Sequence, residues 1–357
     1  MPNLELCRMR LSAQRIVGRG SASAAETVRW MGAIQAQDFG AAQWAIGLRT
    51  LGVTVSDIDS AIERREIIRT WPMRGTLHFI SPELVRPVLR LCAPRVFQRS
   101  AARFRQLEID DDVLKRARKL VAYHIREHGP RTRAELYAAF DADGLKPDGQ
   151  RGIHILGQLS REAVLCHGSH RGKQPTFVLL DEWSPETAAM DDRGTLVELA
   201  ARYFSSHGPA TVHDFAWWSN LKVAEARSAL EANKAELENV EFAGKQYWFS
   251  PAAVTETDGR MRLLPGFDEF VLGYTDRTPA LSTEQMARIV PGDNGMFMPA
   301  VVDADGGVAG TWRRMLGKGS IRIEAQWFDE QPHGRAEELD GAAEEYAHFI
   351  QLPMTKA

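Results

Sequence analysis

With 357 residues, 44% of them hydrophobic, the chain can bury the cores of two or three compact units, and no run approaches the roughly 18 apolar residues of a membrane span. The start MPNLELCRMRLSAQR lacks the apolar stretch of a secretory signal, and Cys7, Cys92 and Cys166 are odd in number and far apart, which speaks against a disulfide framework and a thiolate zinc site and for a reduced, cytoplasmic protein. The net charge of −3 hides an asymmetry, because residues 1–134 hold 23 Lys and Arg against 13 Asp and Glu while the rest hold 21 against 34, and a basic leading third is read as a phosphate-facing surface rather than fluctuation among solvated helices.

In chain order, the first predicted elements are a helix in SAAETVRWMGAI (23–34), a recognition-type helix in TVSDIDSAIERRE (54–66) and two strands in IIRTWPMRGTLHFI (67–80), turning at Pro72-Met73-Arg74-Gly75. Together 8–80 form a loose winged helix, followed by a helical connector (81–119). LVAYHIREHGPRTRAELYAAF (120–140) then shows an apolar helix, His-Gly-Pro-x-Thr and a second helix. In this anchor Gly suits the left-handed residue that closes a helix, Pro prevents continuation, and Thr132 can cap the next helix. A third helix (149–164) and two strands around a Gly-rich turn (164–180) complete a winged helix over 120–182. The same order recurs over 190–250, with His207-Gly208-Pro209, Thr211, a helix at 221–234 and a hairpin turning at Gly244-Lys245. Residues 258–357 read as a β-rich module of short apolar runs, including EFVLGYTD, that ends in an acidic helix. The predicted class is therefore α+β, three tandem winged-helix units plus a C-terminal β-rich module.

Winged helices commonly place a helix in a DNA groove, so double-stranded DNA is the expected partner. Fold alone leaves an enzyme, a transcriptional regulator and a protein-interaction scaffold open. The residues that favour an enzyme lie in GAIQAQDFGAAQWAIGLR (32–49). On a helix Gln35 and Gln37 would point in nearly opposite directions, so the segment has to be extended for them to converge on one water. Asp38-Phe39-Gly40 looks turn-like, with Gly40 unfavourable inside a helix, and an irregular loop is predicted there.

Gln35-Ala36-Gln37 resembles the Gln-x-Gln catalytic motif of AlkZ-type winged-helix DNA glycosylases, whose AlkX-type relatives carry Gln-x-Asp. Arg74-Gly75-Thr76-Leu77-His78, Leu264-Pro265-Gly266-Phe267-Asp268-Glu269-Phe270 with Gly273-Tyr274-Thr275-Asp276-Arg277, and Gly310-Thr311-Trp312-Arg313 resemble the family's other signatures in its order. The resemblance implies a C-shaped enzyme with a concave basic surface and no metal or nucleotide cofactor; a monomer associated with the nucleoid is expected.

The chemistry fits. Alkylation at N7 or N3 makes a purine cationic and a good leaving group, so little acid catalysis is needed. A carboxamide orients water and offers a carbonyl dipole to the developing sugar cation but is no strong base. Cationic alkylpurines, bulky or crosslinked ones included, are therefore the expected substrates. Among lysines the nearest in sequence to the motif is Lys115, so hydrolysis without a Schiff base is expected. Asp38 is the alternative catalyst, as the carboxylate adjoining the motif. Arg74, Arg313, Arg314 and Lys318 are candidate DNA-backbone contacts, each weighed against a structural or solvated role. Phe39, Trp44 and His78 line the site or pack the first unit. His167 and His170 beside Cys166 sit in a polar wing turn, and no metal site is expected there.

Overall fold

The computed structural model describes residues 3–185, 190–253, 258–292, 295–329 and 335–355. Two compact units are formed, Met1–Ile58 with Val197–Ala357, and Asp59–Leu196. Among the described residues no helix is long and apolar enough to cross a membrane.

In the 59–196 unit, the antiparallel strands Ile68–Met73 and Thr76–Ile80 meet at Arg74-Gly75. Both turn residues have positive φ (55° and 82°), the geometry of a two-residue hairpin turn whose twist matches its strands. The turn is thus tighter than the predicted Pro72–Gly75 span. The predicted connector is largely one helix, Pro82–Gln106, which opens with Pro at its start, where no intrahelical N–H is required. The helix Asp111–His128 ends at Gly129 (φ 76°), and Arg133–Ala142 begins with a capping box in which the Thr132 hydroxyl accepts from the Glu135 N–H and Glu135 accepts from the Thr132 N–H at 2.7 Å. That backbone bond, joined by Thr132 and Arg171 against the cost of burial, holds the Glu135 carboxyl down at about 2. The helix Arg151–Arg161 and the paired strands Leu165–His167 and Thr176–Leu179 complete the order expected for 120–182. Leu136, Phe140, Ile155, Leu159 and Phe177 build the core beneath them.

His167 belongs to this core and is not part of a polar wing. Its ring lies 4.6 Å from Phe177 and 5.0 Å from Trp71, and burial pushes its pKa down to about 3. A histidine folded neutral stabilises above its unfolded pKa of roughly 6.5 and loses that contribution as pH falls toward the folded value. Between pH 7.5 and 5.5 this one group should remove about 1.4 kcal/mol. Urea unfolding at the two pH values should show that loss, and His167→Phe should flatten the dependence; an unchanged pH slope in the variant would refute the assignment.

In the other unit, the helix Ala24–Met31, capped by Ser23, leads through Gly32 into the strand Ala33–Gln35, and the helix Phe39–Gly47 follows three residues later. The irregular loop predicted at Asp38-Phe39-Gly40 is shorter than expected, because Phe39 and Gly40 already belong to the helix. Gly40 sits in the first helical turn, where the Asp38 side chain accepts from the Ala41 N–H at 3.0 Å and offsets the weak propensity of glycine. The second His-Gly-Pro copy also departs from expectation. Gly208 is not left-handed but precedes a cis proline, and a Cβ there would lie 2.4 Å from the Phe204 carbonyl oxygen. Thr211 still caps Val212–Ser219 through a box with Asp214, and the helix Val223–Asn233 and the strands Glu238–Phe242 and Lys245–Phe249 follow. Their turn is Ala243-Gly244, one residue earlier than predicted.

The C-terminal stretch forms a four-stranded antiparallel sheet in the order Ile321–Trp327, Val308–Leu316, Ala300–Val302, Arg262–Leu264. EFVLGYTD, expected among the β segments, instead contributes a helical turn, Glu269–Leu272, because the Asp268 carboxylate accepts from the Phe270 N–H at 2.9 Å. The final helix, Arg335–Phe349, buries Tyr346 and Phe349 against Trp44, with ring centroids 5.0 Å apart in both pairs. Gly47 permits this approach, since a Cβ there would stand 2.5 Å from the Phe349 ring.

Candidate active site

The two glutamines differ in exposure. Gln35, last residue of the strand, is 7% exposed, whereas Gln37 is exposed to solvent. The strand Ala33–Gln35 ends at Gln35, and Gln37 lies two residues beyond it in a bend. Asp38 then terminates the extended segment as a helix cap, which gives its carboxylate a structural duty.

The strand is held from behind by a buried polar network that sequence reasoning missed. The Gln35 N–H donates to Glu269 Oε1 at 2.9 Å, and the Trp218 indole N–H donates to Glu269 Oε2 at 3.1 Å. Glu269 itself is 0% exposed, and His207 Nε2 lies 3.5 Å from the same Oε2. Burial keeps the His207 pKa below its ordinary value, with Glu269 pulling the other way. Next door, Asp268 receives both terminal nitrogens of Arg49 at 2.8 and 2.9 Å, and Gln14 Oε1 accepts from the same guanidinium at 2.6 Å. Gln14 Nε2 donates to the Tyr274 hydroxyl, which donates to the His207 carbonyl at 2.7 Å, while the Arg10 guanidinium stacks 3.7 Å over the Tyr274 ring. A buried carboxylate that accepts two donors is a rigid mount for a strand. A signal was present: Asp268-Glu269 interrupt an apolar run, and charges in such a run are usually buried and paired.

Comparison with known proteins gives the family. The DNA glycosylase AlkZ-like family matches residues 28–349. The chain belongs to that family. It is a DNA glycosylase, of the AlkZ-like kind. The "Interstrand DNA cross-link repair glycosylase" of Streptomyces sahachiroi is 26% identical over 326 residues, 85% of each chain. The solved structure of Streptomyces sahachiroi DNA glycosylase AlkZ shares the fold, with a TM-score of 0.80 at 23% identity, covering 99% of this chain and 100% of that one.

In this AlkZ-like chain the other predicted site residues fall as follows. Arg74 and His78 come together: His78 is buried, its Nδ1 bonded to the Thr76 carbonyl at 3.0 Å, so its Nε2 is left to accept from Arg74 Nη2 at 3.2 Å. Arg74 thus has a structural bond to the His78 ring. Trp44 is buried, its indole N–H donating to the Leu263 carbonyl at 2.6 Å, and Phe39 is half-buried at the helix start. Arg313 pairs with Glu324 at 2.7 Å on the sheet surface, and Arg314 donates to the Tyr346 hydroxyl at 2.5 Å. Lys318 is exposed in the turn between Val308–Leu316 and Ile321–Trp327. Beside Asp38 opens a cleft of about 290 Å³, bordered by Trp44, Phe267, Phe297 and Trp312.

Proposed function

We propose that this glycosylase hydrolyses the N-glycosidic bond of cationic N7- and N3-alkylated purines in duplex DNA, including bulky adducts and interstrand crosslinks. Gln35 and Gln37 hold the attacking water and turn carbonyl dipoles toward the sugar as positive charge develops on it. The observation that carries the reading is the extended strand ending in Gln35, braced by Glu269, with Gln37 at the solvent edge two residues on. Neutral carboxamides suit a leaving group that departs without protonation, and cleavage by water alone leaves an abasic site in an unbroken strand. Asp38 serves as a helix cap and not as the base.

The name of the Streptomyces sahachiroi relative supports crosslinked substrates. Three tandem winged-helix units (8–80, 120–182 and 190–250), the connector 81–119 and the module 258–357 form the DNA-binding frame of a cytoplasmic, nucleoid-associated monomer. Arg74, Arg313, Arg314 and Lys318 are its proposed backbone contacts. Of these, Lys318 and the 75%-exposed Arg313 side chain are the best presented to phosphate. The test is incubation with duplex carrying a single N7-methylguanine. Strand breaks at that guanine are expected after alkali and not before it. A footprint on unmodified DNA without alkali-labile product would instead establish a regulator.

A further inference from the structure

We infer that the cleft beside Asp38 is a subsite for the apolar substituent that a bulky alkylating agent leaves on the departing purine. The inference rests on Gln35 and Gln37 being the catalytic pair, and it adds what selects among adducts. The cleft is bordered by Asp38 and Gly40, which follow Gln37 directly in the chain, and this adjacency puts it next to the motif. Its volume, about 290 Å³, is near the small end of ligand sites and holds a group about the size of one or two rings.

The lining reads shape and apolarity. A pocket that recognises a base edge presents donors and acceptors aimed at that edge. Here both indole N–H groups serve protein carbonyls, Trp44 to Leu263 at 2.6 Å and Trp312 to Leu264 at 2.7 Å. The two guanidinium groups are engaged by Glu324 and Tyr346, and Asp38 caps a helix. Beside Asp38, Arg313 and Arg314 the lining is aromatic and thioether surface: Phe267 and Phe297 with centroids 6.0 Å apart, and Met296 and Met298, which are 45% and 37% exposed. The unbranched, polarizable side chains of methionines at a surface adapt to apolar groups of different shape.

The backbone is also held at some cost. Phe267 has φ of 63°, a left-handed conformation that an aromatic residue rarely adopts. The preceding Gly266 runs so close to Phe297 that a Cβ would stand 2.8 Å from its carbonyl oxygen. The Arg277 guanidinium over the Phe297 ring at 5.1 Å secures the opposite wall. Strain kept at an opening beside a catalytic motif points to a surface shaped for a ligand.

The test compares release of N7-benzylguanine and N7-methylguanine from the same duplex position, under conditions that report kcat/KM. Met296→Ala with Met298→Ala removes the adaptable rim, and Met298→Trp fills the cleft. In at least one of these proteins the benzyl-to-methyl ratio is expected to fall fivefold or more. The ratio is insensitive to the fraction of protein that folds, since misfolded enzyme lowers both rates alike. A smaller change in both variants overturns the subsite while leaving the glycosylase intact. Wild-type protein that releases neither base overturns the proposed activity, and this inference with it.

Discussion

Asp268→Ala is expected to cost about 3–5 kcal/mol of stability, the largest loss expected from any single substitution considered, because it leaves the Arg49 guanidinium buried without its charge partner. Both side chains are 1% exposed and meet through two bonds of 2.8 and 2.9 Å. Two uncharged acceptors, the Ala45 carbonyl and Gln14 Oε1, would remain to Arg49, and neither neutralises it. The alanine also removes the acceptor of the Phe270 N–H and so loosens the turn that carries Glu269. Arg49→Met should be comparably damaging, and Arg49→Met with Asp268→Asn less damaging than the two single changes combined, since no lone charge is then left inside. Urea denaturation followed by tryptophan fluorescence measures this. A loss below 1 kcal/mol in Asp268→Ala would show that water reaches the pair.

This network also marks where the sequence could be read and where it could not. Thr132 and Thr211 were legible as caps because their partners, Glu135 and Asp214, stand three residues away and the capping box is a local pattern. The strand pairs around Arg74-Gly75 and Ala243-Gly244 were legible for the same reason. Of the motif Gln35-Ala36-Gln37, expected to be extended, the strand takes in Gln35, and the helix that follows was missed because Gly40 was weighed for propensity and Asp38 was not weighed as a cap. The support of the site was illegible. Gln35 meets Glu269 across 234 positions, Arg49 meets Asp268 across 219, and Gln14 meets Tyr274 across 260. Such pairings are decided by packing in three dimensions, and periodicity carries no trace of them. Within the C-terminal module the sheet was anticipated, yet Glu269–Leu272 turned helical for a reason confined to one side chain, the cap supplied by Asp268.

Gln37→Ala is expected to slow single-turnover release of N7-methylguanine by about 10²-fold or more while DNA affinity stays within threefold, the effect of deleting one preorganised dipole from a transition state. Because Gln37 is exposed, its truncation opens no core cavity, and the rate loss can be read as chemistry. Gln35→Ala should be as severe. Its backbone bond to Glu269 survives the substitution, so the strand keeps its mount, although a buried side chain is lost. On the proposed mechanism both groups hold the same water, so the double variant should be little worse than either single one. Asp38 is tested by a pair of changes. Asp38→Asn still caps the helix and should keep more than a tenth of the rate, whereas Asp38→Ala should cost about 1 kcal/mol of stability through the lost cap. If Asp38→Asn abolishes release and Gln37→Ala does not, the carboxylate is the base. Carboxamides do not titrate, so the rate should stay level from pH 6 to 9 when single-turnover release is followed across that range.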